Sequence, residues 1–113
     1  MLTTPTPSLH KFDAYLLALQ FRRLVVRWLP LRRTELSDQL DRASISVPLN
    51  IAEGARRSTP RERARHYTIA RGSAVECLAC LDLLELELGA PSTGEARRVL
   101  VRLLNVLTAL IRR

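Results

Sequence analysis

Residues 59–89 read TPRERARHYTIARGSAVECLACLDLLELELG, and this stretch decides the fold. Thr59 is a side-chain acceptor placed to cap a helix, Pro60 suits the first helical position, and Glu62 completes a capping box. From there Tyr67, Ala70, Ala74, Cys77, Leu81, Leu84 and Leu88 recur at alternating steps of three and four. That spacing predicts a long helix with one unbroken core line. Gly89 suits the residue just past its end, and Pro91 bars continuation.

The same reading extends outward in both directions. Upstream, Thr34 is a plausible N-cap for a helix carrying Leu36, Leu40, Ala43, Val47 and Ile51 to about Gly54. Pro48 lies inside it and predicts a kink, since proline deletes one helical bond and crowds the Ser44 carbonyl. Further upstream, Ala14, Leu17, Ala18, Phe21, Leu24, Val25 and Trp28 predict a helix from about Asp13 to Leu29, stopped by Pro30. Downstream, Ser92 and Glu95 repeat the capping-box spacing before a helix with core line Ala96, Leu100, Leu103, Leu107 and Leu110. Residues 1–11 read as a flexible Thr/Pro tail. No stretch alternates at period two, so the expectation is all-α: residues 12–113 as a single antiparallel up-down-up-down four-helix bundle.

Composition agrees. With 113 residues, 47% hydrophobic and 26% charged, the chain has the balance of one folded domain. No apolar run approaches the roughly 18 to 20 residues that span a bilayer. The first ten residues lack the charge and apolar run of a secretory signal, and two cysteines make no disulfide framework. A cytoplasmic location is expected. The basic excess is large: 17 Arg and one Lys against 11 acids give a net charge of +7. Such a field attracts polyanions.

Chemistry-bearing patterns are few. Cys77 and Cys80 form a C-x-x-C, but mid-helix rather than at the helix N-terminus that lowers a thiol pKa. Zinc would need two more ligands, and His66 lies 11 residues back, roughly 16 Å at ~1.5 Å per residue. Two small core residues are expected, and no metal or cofactor. No P-loop, G-x-S-x-G or H-E-x-x-H is present, nor any core-line acid for a di-iron site. Arg61 and His66 resemble the Arg-x(4–6)-His signature of the helical HEPN ribonucleases, in which the histidine serves metal-independent cleavage. Glu62 departs from the Asn, Asp or His usual after that arginine. A solvated histidine on a basic helix end is the competing reading, and the expectation is that the chain is not an enzyme.

The arginines are clustered. Arg56, Arg57, Arg61, Arg63, Arg65 and Arg71 surround the second turn, while Arg22, Arg23, Arg27, Arg32 and Arg33 lead from the first helix into its turn. Guanidinium clusters on one surface are the footprint of a nucleic-acid binder, here weakly sequence-specific because aromatics are only 4%. The competing reading is a solvated, arginine-rich surface. The expected binding residues are Arg56, Arg57, Arg61 and Arg65, with Arg22, Arg23 and Arg27 as a second set.

A second line on the third helix, Ile69, Gly72, Glu76, Ala79, Leu83 and Leu86, runs roughly opposite its core line. The fourth helix carries Val101, Leu104 and Ile111 off its own line. One bundle core cannot bury both sets, so an oligomer is expected, with Ile69, Gly72, Ala79, Leu83 and Leu86 at its interface.

From Ser37 to Gly89 the chain resembles the small bacterial four-helix bundle family, the 23S rRNA-intervening-sequence proteins. The resemblance rests on Gln39-Leu40-Asp41-Arg42-Ala43, Ser46, Asn50-Ile51-Ala52-Glu53-Gly54, Ile69-Ala70-Arg71-Gly72-Ser73 and Glu76-Cys77. It implies an antiparallel bundle assembled as a homopentameric ring. Relatives include accessory proteins of diversity-generating retroelements, which are basic, bind nucleic acid and partner a reverse transcriptase. RNA is therefore the expected partner, ahead of DNA, and no small-molecule substrate or membrane is. Where many members carry Arg or Lys this chain has Asp41, expected to be a variable surface position. Read by position, Gln39, Arg42, Ser46, Asn50 and Glu53 form a polar stripe beside the second helix's core line. With Gly54, Arg71, Gly72, Ser73 and Glu76 it reads as a structural lock or a site, buried polar groups needing partners. Asn50 could satisfy a backbone group freed by Pro48, and Arg42 should neighbour Glu76 across the second turn. A protein-interaction scaffold without nucleic acid is the remaining reading.

Overall fold

Four helices form among the described residues. In the computed structural model, residues 6–27, 29, 34–88 and 93–112 are described. Helix α1 spans Thr6–Val25, α2 Glu35–Arg56, α3 Pro60–Leu88 and α4 Gly94–Ile111, and no strand occurs among the described residues.

Helix α1 begins well ahead of Asp13 and takes in residues 6–11 of the expected tail. Pro7 falls in its first turn, where a missing N–H loses no helical bond. The helix ends at Val25, short of the expected Leu29, and closes with Val26 N–H on Arg22 O (3.0 Å) and Arg27 N–H on Leu24 O (3.3 Å). Leu29 precedes a proline, which disfavours α backbone there, but its side chain still reaches the core. Trp28, Pro30, Arg32 and Arg33 lie outside the described residues, as do Gly89, Pro91 and Ser92.

Helix α2 has a full capping box at Thr34, whose Oγ1 accepts from Ser37 N–H (3.1 Å) while Ser37 Oγ accepts from Thr34 N–H (2.8 Å). The helix passes Pro48 without a break. Thr59 caps α3 by accepting from Glu62 N–H (3.1 Å), but the Glu62 carboxylate makes no return bond, so half of the predicted box forms. At α4 the N-cap is Thr93, not Ser92. Its hydroxyl donates to Glu85 instead of capping its own helix.

The core matches the periodic lines. Ala14, Ala18, Phe21, Leu24 and Val25 meet Leu40, Ala43, Val47 and Ile51, then Tyr67, Ala70, Ala74, Cys77 and Leu81, then Ala96, Leu100, Leu103, Leu107 and Leu110. Cys80 and Val99 join them; Leu17, Leu36, Leu84, Leu104 and Ile111 pack partly buried around the edge. Each helix packs on its neighbour in sequence, and α1 closes against α4. Polar bonds set the antiparallel register. Arg71 Nε donates to Thr108 Oγ1 (2.9 Å), and eleven residues up α3 Asp82 accepts from Arg97 (2.8 Å), eleven residues down α4.

The α1–α2 seam holds the least expected of these. Arg22 Nη1 donates to Asp41 Oδ1 (2.6 Å), to Ser44 Oγ (2.9 Å) and to Asp41 O (3.2 Å). Ser44 is fully buried and donates in turn to Asp41 O (3.0 Å). Asp41 is therefore a clamp residue with its side chain 25% exposed, rather than a freely solvated surface position. Arg22→Met should cost about 1–3 kcal/mol, the range for a charge-assisted hydrogen bond whose partner is left half-buried. Asp41→Asn should cost less, because its amide oxygen still accepts. Urea unfolding of the two variants checks the order.

Candidate nucleic-acid interface

The α2–α3 turn is built from charge and backbone together. Helix α2 ends with Arg57 N–H on Gly54 O (3.2 Å), and α3 starts at Pro60, so residues 57–59 reverse the chain. Five arginines, 56, 57, 61, 63 and 65, gather there beside Glu53 and Glu62. The fold uses them unequally. Glu53 pairs with Arg57 and lies 3.7 Å from Arg56, and Arg63 Nη1 donates to Arg57 O (3.1 Å). Arg61 and Arg65 are exposed and form no ion pair among the described residues. On α1, Arg23 and Arg27 are likewise exposed and without an ion pair there, whereas Arg22 is held in its clamp. Of the seven predicted binding arginines, Arg61, Arg65, Arg23 and Arg27 thus present guanidiniums without an ion pair among the described residues; Arg56 and Arg57 share an acid, and Arg22 is a structural residue.

Below the turn, the polar stripe becomes a seam between α2 and α3. Ser46 Oγ and Ser73 Oγ lie 2.8 Å apart. Asn50 Nδ2 donates to Ser46 Oγ (3.1 Å) and Ser46 O (3.0 Å), and Asn50 Oδ1 faces His66 Nδ1 at 3.4 Å. Asn50 therefore serves the Ser46 carbonyl rather than the Ser44 carbonyl that Pro48 leaves without its helical donor. His66 was missed as a seam member because its partner sits 16 residues earlier, on another helix.

The remaining motif residues divide. Gly54 is buried, and a Cβ there would stand 2.7 Å from Tyr67 Cε1, 2.9 Å from Cδ1 and 3.1 Å from His66 Cβ. Arg71 straps α3 to α4 through Thr108. Gln39 is half-buried, while Arg42, Gly72 and Glu76 are exposed. The Ser46–Ser73 contact brings Arg42 and Glu76, each about one turn away, to nearly the same level. No ion pair joins them, and neither has another among the described residues.

The enzyme-like patterns fare differently from the seam. Arg61 and His66 are five residues apart, about 140° around a helix, so they diverge, and the contact His66 makes is to Asn50. Cys77 and Cys80 are free, buried thiols. Burial, with Cys80 and Glu76 adding, pushes Cys77 up to about 12, and burial also raises Cys80. Thiolate chemistry at neutral pH is correspondingly disfavoured. Among the described residues no group of three or more His, Cys, Asp and Glu could hold a metal ion.

At the opposite end of α3, Arg97 bridges Asp82 (2.8 Å) and Glu85 (2.9 Å). Hydrogen bonds from Thr93 and Arg97 hold Glu85 below the usual carboxylate range. This end of α3 is locally neutralised, while exposed arginines stand at the α2–α3 turn, on α1 and, as Arg98 and Arg102, on α4. No described helix is long and apolar enough to cross a membrane.

The second α3 line stays outside. Ile69 is 40% exposed, Leu83 47% and Leu86 82%, with Gly72, Glu76 and Ala79 exposed between them. On α4, Val101 is exposed, whereas Leu104 and Ile111 pack against the core.

No curated protein matches the chain. The family model for the 23S rRNA-intervening sequence protein does, over residues 10–110. That match takes in the α2 and α3 motifs, the seam they form and all but the outermost turns of the bundle, and the chain belongs to the 23S rRNA-intervening sequence protein family.

Proposed function

We propose that this protein is a non-catalytic, homo-oligomeric nucleic-acid binder, directed to RNA in preference to DNA and working as an accessory to a partner enzyme such as a reverse transcriptase. The observation that carries the binding reading is the pair of exposed, acid-free guanidiniums of Arg61 and Arg65 at the α2–α3 turn, with Arg56 and Arg57 beside them. Arginine forks suit phosphate, and their contacts are sequence-tolerant. The family's link to rRNA-intervening sequences favours RNA. The uncovered α3 line of Ile69, Ala79, Leu83 and Leu86 supports self-association, and the family resemblance suggests five copies in a closed ring.

Titrating labelled single-stranded RNA across a salt series tests this. Arg61→Gln/Arg65→Gln should weaken binding and flatten the log K against log salt slope by ~1.4, at ~0.7 per lost single-strand phosphate contact. Arg56→Gln/Arg57→Gln should flatten it less, because Glu53 already neutralises part of that pair. Unchanged binding in the first variant would remove this face from the reading. RNA shortened by the wild type but not by His66→Ala would establish the ribonuclease alternative instead.

A further inference from the structure

The outer face of α1 carries an unusual mixture. Phe12 is 51% exposed, Tyr15 36% and Leu16 47%, on a chain with few aromatics. At ~100° per residue, Phe12, Tyr15, Leu16, Leu19 and Arg23 fall within an arc of about 100°, and Arg27 follows in the turn just past the helix end. Of these six, Leu19 is half-buried and the others are exposed. Ala14, Ala18, Phe21 and Val25 occupy the opposite, buried side. Apolar rings therefore stand at the N-terminal end of one exposed strip, and two unpaired guanidiniums at its other end. Arg22, next to Arg23, is turned into the α2 clamp, so the two arginines left on the strip are those the bundle does not need.

We propose that this α1 face is a binding strip for single-stranded nucleic acid, with Phe12 and Tyr15 stacking on bases and Arg23 and Arg27 holding phosphates. The inference rests on the nucleic-acid reading above and adds strand selectivity, which the α2–α3 turn arginines cannot supply. Phosphate contacts alone accept duplex and single strand alike, whereas an aromatic ring needs the face of an unstacked base. From Phe12 to Arg23 the strip runs about 16 Å. That length accommodates a few nucleotides of an extended strand. Charge favours this occupant over a second copy meeting face to face, because phosphates neutralise Arg23 and Arg27, whereas a two-fold contact would bury them with no carboxylate among the six residues of the strip to pair with.

The test compares a labelled 12-nucleotide oligoadenylate with a duplex of equal length, using wild type, Phe12→Ser/Tyr15→Ser and Phe12→Leu/Tyr15→Leu. Both pairs sit at the surface, and the leucine pair keeps apolar bulk while removing the rings. Each variant should lose about tenfold or more in single-strand affinity, with duplex affinity unchanged. Arg23→Gln/Arg27→Gln should weaken both ligands together. Wild-type single-strand affinity in both ring variants, with Arg61 and Arg65 still required, would overturn the strip and leave the turn-centred reading standing. A wild type that retains neither ligand at ~0.1 M salt would sink both. A leucine pair that binds like wild type, or a ring variant whose mass in solution falls, would show that the face packs against protein rather than against bases.

Discussion

Gly54→Ala should lower the melting temperature by roughly 5–15 °C, corresponding to a net loss of about 1–2 kcal/mol. Helix propensity alone points the other way, because alanine is favoured over glycine in a helix interior by about 1 kcal/mol. What reverses the sign is Tyr67. An added Cβ would stand 2.7 Å from Cε1 and 2.9 Å from Cδ1 of a ring that is only 3% exposed, and 3.1 Å from His66 Cβ. The ring cannot swing into solvent without opening the α2–α3 seam, so the helices must separate. Gly72→Ala is the matched control. Nothing lies within 4 Å of its added Cβ in a single copy, so under conditions where copies are dissociated the substitution should gain about 0.5–1 kcal/mol. Calorimetry of both variants decides the matter: a Gly54→Ala protein that melts at or above wild type would refute the close approach as the reason the motif ends in glycine.

Leu83→Arg should convert the protein in solution from an assembly to smaller species. The wild-type mass by light scattering at micromolar concentration is expected to be a multiple of 12.8 kDa, five-fold if the ring forms. Leu83 is 47% exposed and Leu86 82%, in line with Ile69. Burying such side chains yields about 1.5–3 kcal/mol each, whereas an arginine forced into that contact without a carboxylate partner costs several. Glu76, unpaired on the same line, would find a counter-charge in the exposed Arg42 of a neighbouring copy. A wild-type mass near 12.8 kDa would end the assembly reading.

How much of this was legible in the sequence depends on the range of the interaction. The helices were readable because capping, proline placement and three-four periodicity act within a few residues. Thr34 and Thr59 announce helix starts, and the lines from Tyr67 to Leu81 and from Ala96 to Leu110 are buried as their spacing requires. Boundaries failed where several local signals compete. Pro7 reads equally as a breaker and as a first-turn residue, and Thr93 competes with Ser92 as a cap.

The use of the polar residues that bond between helices was decided only by the tertiary structure. Nothing near Asp41 in the chain reveals that Arg22 will reach it from 19 residues away, or that Ser44 will share the bond. The pairing of Glu53 with Arg56 and Arg57 is by contrast local, at helical three- and four-residue spacing, and leaves Arg61 and Arg65 without an ion pair among the described residues. The N-I-A-E-G motif marks a family, but its glycine acquires a reason only when Tyr67 packs on it. Side-chain pairs between helices depend on helix rotation and axial register. Those are set by how four apolar lines interlock at once, a global condition that no local window of sequence contains.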